Sequence, residues 1–116
     1  MVHDLVNYSL PVDVFEALAD PTRRQVVQLL GSRPHRAGEL ADATGMSPPA
    51  MSRHLKVLLT SGIVDDERVP DDARVRVFKL RPESLVAVQA FLDQLQMEWR
   101  QQLRSFKRHV EGRSQR

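Results

Sequence analysis

The chain contains no cysteine. A disulfide framework, a thiolate metal site and a thiol redox switch are therefore excluded, and a reducing compartment is compatible. Aromatic residues make up only 5% of 116 residues, with a single tryptophan. So small a chain has a modest core, and pairing into a homodimer is the expected way to bury more apolar surface. No apolar run reaches the roughly 18 residues needed to span a bilayer. The first ten residues carry Asp4 and no lysine or arginine, unlike a secretory signal, so a cytoplasmic protein with no membrane partner is expected. Glycine is also scarce, at five residues, and neither a Gly-x-Ser-x-Gly elbow nor a phosphate-cradling loop is present; no enzyme is expected. Asp65, Asp66, Glu67, Asp71 and Asp72 cluster on the hairpin without a pocket, and a solvated or charge-balancing role is expected of them.

A net charge of +2 carries little information by itself, but its distribution does. Residues 1–20 hold four acids and no lysine or arginine, whereas residues 21–62 hold six cations against two acids. Residues 63–81 balance five against five, and residues 82–116 hold six cations against four acids. The positive excess thus falls on residues 21–62, within which the stretch Glu39 to Leu58 reads as two short helices joined by a glycine turn. Leu40 and Ala43 mark the inner face of the first helix and Gly45 supplies a left-handed turn residue. Ser47 caps a second helix whose first helical position is Pro48. Met51, Leu55 and Leu58 recur at i, i+4 and i+7, so they face inward and leave Pro48, Pro49, Ser52, Arg53 and Lys56 on the solvent face. This is a helix-turn-helix pattern, and a face mixing small residues with cations fits a DNA major groove.

Upstream, Pro11–Ala19 reads as a helix with Val14, Phe15 and Leu18 on one side. Asp20 and Pro21 are a good N-cap and first residue for a second helix to Leu30. Residues 32–36 read as a loop. Downstream, residues 63–69 and 74–80 read as two strands joined by Pro70-Asp71-Asp72-Ala73, an antiparallel wing whose Arg74 and Arg76 can reach phosphates or a minor groove. Pro82 opens a long helix with Leu85, Val88, Leu92, Leu95, Trp99, Leu103, Phe106 and Val110 spaced as one apolar seam. From Leu85 to Val110 it would be about 39 Å long, more than so small a body can cover, so much of it should meet a second chain. The expected architecture is mainly α with a small β-hairpin, an α+β winged helix-turn-helix in the order α-α-α-α-β-β-α, forming one domain over residues 1–116. Residues 82–110 are thus an expected dimerisation helix, with Leu92, Leu95, Trp99, Leu103 and Phe106 at the interface.

This pattern resembles the arsenic-repressor-type (ArsR/SmtB) winged-helix transcription regulators. The segments that carry the resemblance are Ala17 to Arg24, Glu39-Leu40-Ala41, Met51 to Leu58, Ser61-Gly62-Ile63-Val64 and Arg74 to Leu80, and it covers about residues 12–106. It implies a homodimer that binds an operator near its own promoter, usually as a repressor, and pairs through its first and last helices, residues 11–19 and 82–110, which adds Val14, Phe15 and Leu18 to the expected interface. The chain departs from the metal-sensing members. Where they place paired cysteines it has His35-Arg36-Ala37-Gly38-Glu39-Leu40-Ala41. Where others use a carboxylate and histidines on the last helix, Asp93 is followed by Gln94-Leu95. The wing also lacks a turn glycine.

The four histidines, His3, His35, His54 and His109, are too scattered to form a ligand cluster, so no metal and no cofactor are expected. The terminal amine and imidazole of Met1-Val2-His3 could chelate nickel or copper(II), which leaves a nickel-responsive repressor as an alternative. A winged helix used for protein association is the other. The favoured expectation is a sequence-specific homodimeric regulator of a palindromic double-stranded DNA operator, with or without an unknown small-molecule effector. Ser47, Pro48, Pro49, Ser52, Arg53, His54, Lys56, Arg74 and Arg76 are the expected DNA contacts. Ser52 and Arg53 would read base edges, and His54 would touch a phosphate or pack between helices.

Overall fold

The computed structural model describes residues 9–114; the expectations for residues 1–8, including His3, lie outside them. Among the described residues, five helices and three strands follow one another as α1 (Ser9–Leu18), α2 (Pro21–Leu30), β1 (His35–Arg36), α3 (Ala37–Thr44), α4 (Pro48–Thr60), β2 (Val64–Val69), β3 (Asp72–Leu80) and α5 (Pro82–Ser114). The mainly helical winged helix-turn-helix arrangement is the one the sequence predicts, with one correction. His35 and Arg36, read as loop, form an edge strand that pairs antiparallel with β3, His35 opposite Phe78 and Arg36 opposite Val77. The sheet is therefore three-stranded, in the order β1-β3-β2. A two-residue strand shows no period, so nothing in the pattern announced it.

Local chemistry accounts for most boundaries. Asp20 Oδ2 accepts from the backbone N–H of Arg23 at 3.1 Å and Pro21 occupies the first turn of α2, an N-cap followed by a residue whose missing N–H costs nothing there. That bond is the largest reason the Asp20 carboxyl sits below its ordinary range. Gly62 follows α4 at φ +81°, and its N–H returns to Leu59 O while that of Ile63 returns to Leu58 O. The chain is thereby turned into β2 with the last carbonyls of α4 satisfied.

The core comprises Val14 and Ala17 of α1, Val26 and Leu30 of α2, Leu40 and Ala41 of α3, Met51, Leu55 and Leu58 of α4, together with Ile63, Val64 and Phe78. One apolar stripe from each of four helices thus meets the inner side of the sheet. Helix α5 behaves differently. Its N-terminal part packs on α1, with the rings of Phe15 and Phe91 edge to face at 5.6 Å. The helix then continues for a total of 33 residues, about 50 Å, and gives the molecule a longest dimension of 75 Å against 36 and 22 Å. Among the described residues, no helix is long and apolar enough to cross a membrane.

Candidate nucleic-acid interface

The α3–α4 unit is built by its caps. Glu39 Oε1 accepts from the backbone N–H of Arg36 at 2.9 Å at the start of α3, and this bond is the main cause of the lowered Glu39 carboxyl. At the other end Gly45 adopts φ +71°, and the N–H of Met46 donates to Ala41 O at 3.0 Å. Ser47 then opens α4 by accepting at Oγ from the backbone N–H of Ala50 at 3.3 Å, with Pro48 at its first position. Met51, Leu55 and Leu58 are buried, whereas Pro48, Pro49, Ser52, Arg53 and Lys56 stand exposed with Ser47 beside them. Among the described residues Arg53 and Lys56 have no ion-pair partner. An exposed helix face with two uncommitted cations and short polar and proline side chains offers donors to base edges and phosphates without bulk.

His54 is placed apart from this face. Its side chain is 16% exposed, and its Nδ1 lies 3.2 Å from Arg23 Nη1 and 3.8 Å from Asp20 Oδ2. The ring packs between helices, the second of the two roles considered for it.

On the wing, the strand carboxylates are matched by cations: Asp65 with Arg81, Asp66 with Arg76, Glu67 with Lys79. The Asp66–Arg76 and Glu67–Lys79 pairs run diagonally across the β2–β3 register, and Arg81 follows directly on β3. Of the acidic cluster, Asp65, Asp66 and Glu67 are thus charge-balanced, while Asp71 is exposed. Arg76 is further held by its guanidinium lying 5.0 Å from the centre of the Phe78 ring. Arg74 is freer. Its guanidinium bonds only the neighbouring Asp72, and 91% of its side chain is exposed. The same guanidinium is the first cause of the lowered Asp72 carboxyl, the backbone N–H of Arg74 the second. Arg36, Ser52, Lys56, Arg74 and Arg76 line a groove of about 530 Å³ between α4 and the wing. Four cations and a hydroxyl converge there, which suits the negative backbone of a duplex. Arg36 was missed by sequence reasoning because β1 was missed; a cation just ahead of the first helix of the motif was the available signal.

The expected dimer residues fall into two groups. Val14 is 2% exposed and lies within the chain's own core, so it is corrected from an interface residue to a core residue; Leu18 is partly buried against that core. Phe15 packs on Phe91 and stays 38% exposed. Leu92, Trp99, Leu103 and Phe106 are exposed on α5, the last two about two-thirds so, and Leu95 is half-buried. Among the described residues, no group of three or more histidine and carboxylate side chains stands close enough to hold a metal ion.

Comparison with known proteins places this geometry in a family. Residues 20–66 match the family described as bacterial regulatory protein, arsR family; that stretch is α2 through the start of β2. The chain is 44% identical over 87 residues to the HTH-type transcriptional regulator Rv2034 of Mycobacterium tuberculosis, spanning 75% of this chain and 78% of that protein. It is 38% identical over 56 residues to the transcriptional repressor SdpR of Bacillus subtilis, spanning 48% of this chain and 62% of that protein. Its fold superposes on an ArsR-like transcriptional regulator from Rhodococcus sp. RHA1 with a TM-score of 0.79 at 26% identity, over 90% of this chain and 95% of that one. These relatives are regulators, not enzymes. The chain belongs to the ArsR family of bacterial transcriptional regulators, and its helix-turn-helix and wing form the DNA-binding domain of that family.

Proposed function

We propose that the protein is a homodimeric repressor that binds a palindromic operator through α4 and the wing of each subunit. The observation that carries the reading is the outer face of α4, where Arg53 and Lys56 are exposed and unpaired beside the cationic groove of Arg36, Arg74 and Arg76. Ser52 and Arg53 serve as base readers in the major groove, arginine favouring guanine. Lys56, Arg74 and Arg36 serve the phosphate backbone, and Arg76 braces the wing. Repression as the direction of control is supported by the name of the relative SdpR. Pairing is supported by α5, whose seam residues Leu92, Trp99, Leu103 and Phe106 are exposed. Two recognition helices related by a two-fold axis would then meet half-sites about one helical turn apart. DNA release is not driven by a thiolate-bound metal or thiol oxidation, since no cysteine exists.

The test is selection of bound duplexes from a random pool, combined with sedimentation of the free protein. An inverted repeat with half-sites about 10 base pairs apart and a particle of twice 13.2 kDa are expected. A monomer that enriches no sequence would overturn the proposal.

A further inference from the structure

We propose that Arg23 is a positioning residue: it ties the recognition helix α4 to the end of α1, and this tie, not a DNA contact of its own, sets how sharply α4 discriminates among sites. The inference rests on the DNA-binding reading above. All three guanidinium nitrogens of Arg23 are engaged inside the protein. Nε donates to Ala17 O at 2.6 Å and Nη2 to Glu16 O at 3.3 Å, both carbonyls in the last turn of α1. Nη1 donates to His54 Nδ1 at 3.2 Å. Guanidinium has no acceptor, so in this contact the arginine is the donor, and the same His54 nitrogen lies 3.8 Å from Asp20 Oδ2. The backbone of Arg23 is itself fixed, because its N–H is capped by Asp20.

One rigid, planar fork therefore spans two helices, a task that a lysine's point charge would not reproduce. The backbones of those two helices approach one another at few points. Helix α1 packs mainly on α2 and α5, and α4 packs mainly on α2, α3 and β2. The two face one another across a groove lined by Asp13, Glu16, Arg53, Lys56 and Thr60, with Arg23 closing it. His54 follows Arg53 directly and precedes Lys56 by two positions, so the tie acts on the segment of α4 that carries both free cations. A small rotation of that segment would shift the base-reading side chains while leaving phosphate attraction almost unaltered, because readout depends on hydrogen-bond geometry and phosphate attraction falls off gently.

Fluorescence anisotropy of the full chain on a selected site and on an unrelated duplex of equal length, each over a salt series, tests this with Arg23→Gln, His54→Phe and the double variant. His54→Phe leaves Arg23 on the α1 carbonyls, so it answers even where Arg23→Gln fails to fold, which circular dichroism reports. Each single variant should lose about tenfold on the selected site, and the double no more than either, as for two ends of one interaction. Affinity for the unrelated duplex and its salt slope should stay unchanged. Singles that match the wild type, losses that multiply in the double, or a parallel loss on both duplexes would overturn the inference. So would a salt slope reduced by about one, which would make Arg23 a phosphate contact. A wild-type chain that selects no site would overturn the DNA-binding reading itself, and the inference with it.

Discussion

At the scale of single residues, the cations of the interface differ in how firmly the protein already holds them. Arg76 is bonded to Asp66 at 2.6 Å and lies over a ring, whereas Arg74 is tied only to an exposed neighbour, a link worth roughly 0–1 kcal/mol that a phosphate readily replaces. Among the described residues Arg53 and Lys56 have no ion pair to give up. Arg53→Ala should therefore relax preference at the base pair it reads, at a cost of about 1–3 kcal/mol there. Arg74→Ala should weaken all sequences alike and lower the salt slope by about one. Anisotropy titrations on matched and mutated operators separate the two, and identical behaviour would sink the division of roles. Carboxylates carry a second expectation. Asp20, Glu39 and Asp72 all sit below their ordinary range, Asp20 and Glu39 chiefly through backbone N–H bonds and Asp72 chiefly through the Arg74 side chain. A carboxyl lowered by folding adds stability above its unfolded value of about 4, and that stability is lost as pH falls through the folded value. Denaturation midpoints should thus fall between pH 5 and pH 3. The gap between wild type and Asp20→Asn should close over the same interval; a gap that widened toward acid would reverse the sign of the argument.

At the scale of elements, the turn and caps of the helix-turn-helix carry their own energetics. Gly45 sits at φ +71°, yet a Cβ added there meets nothing within 4 Å. The cost of Gly45→Ala should therefore be backbone strain alone, about 1–2 kcal/mol. Ser47→Ala should cost about 1 kcal/mol by removing the acceptor for Ala50 N–H. Urea denaturation gives both numbers, and a Gly45→Ala loss above 4 kcal/mol would mean that packing rather than φ is at stake. These elements were legible in the sequence because each depends on residue identity at a fixed offset: Ser47 before Pro48, Gly45 after Thr44, Met51 with Leu55 and Leu58. What escaped depends on distant partners. β1 exists because residues 35 and 36 find Phe78 and Val77, forty residues away, and Arg36 enters the groove only as a result. Val14 shares its helix with Phe15, but the direction in which α2 closes on α1, not periodicity, decides that Val14 is covered by its own chain. Arg23 reads as an ordinary first-turn cation of α2, and its reach to His54 is a tertiary fact.

At the scale of the whole molecule, the distal half of α5 is the feature that a lone chain does not explain. Leu103 and Phe106 are 67% and 66% exposed on a helix that projects from a body otherwise organised around one core. Replacing them with aspartate costs an isolated chain little, since neither is covered in it. If α5 is the pairing surface, Leu103→Asp with Phe106→Asp should convert the dimer to a folded monomer in sedimentation. Operator affinity should fall about 100-fold or more as the second half-site ceases to be bound by the same particle. Unchanged sedimentation would move the interface elsewhere. Composition bears on the release signal. In a particle with no cysteine, the soft ligand that arsenic and cadmium require is missing, and so is the thiol an oxidant would attack. Among the described residues no cluster stands in for it. Operator affinity should accordingly be the same within twofold in arsenite, zinc or peroxide at concentrations near the protein's own, measured by anisotropy on the selected site. A tenfold loss with arsenite or zinc, equivalent to about 1.4 kcal/mol of coupling, would show a metal-linked state that this chain's residues do not account for.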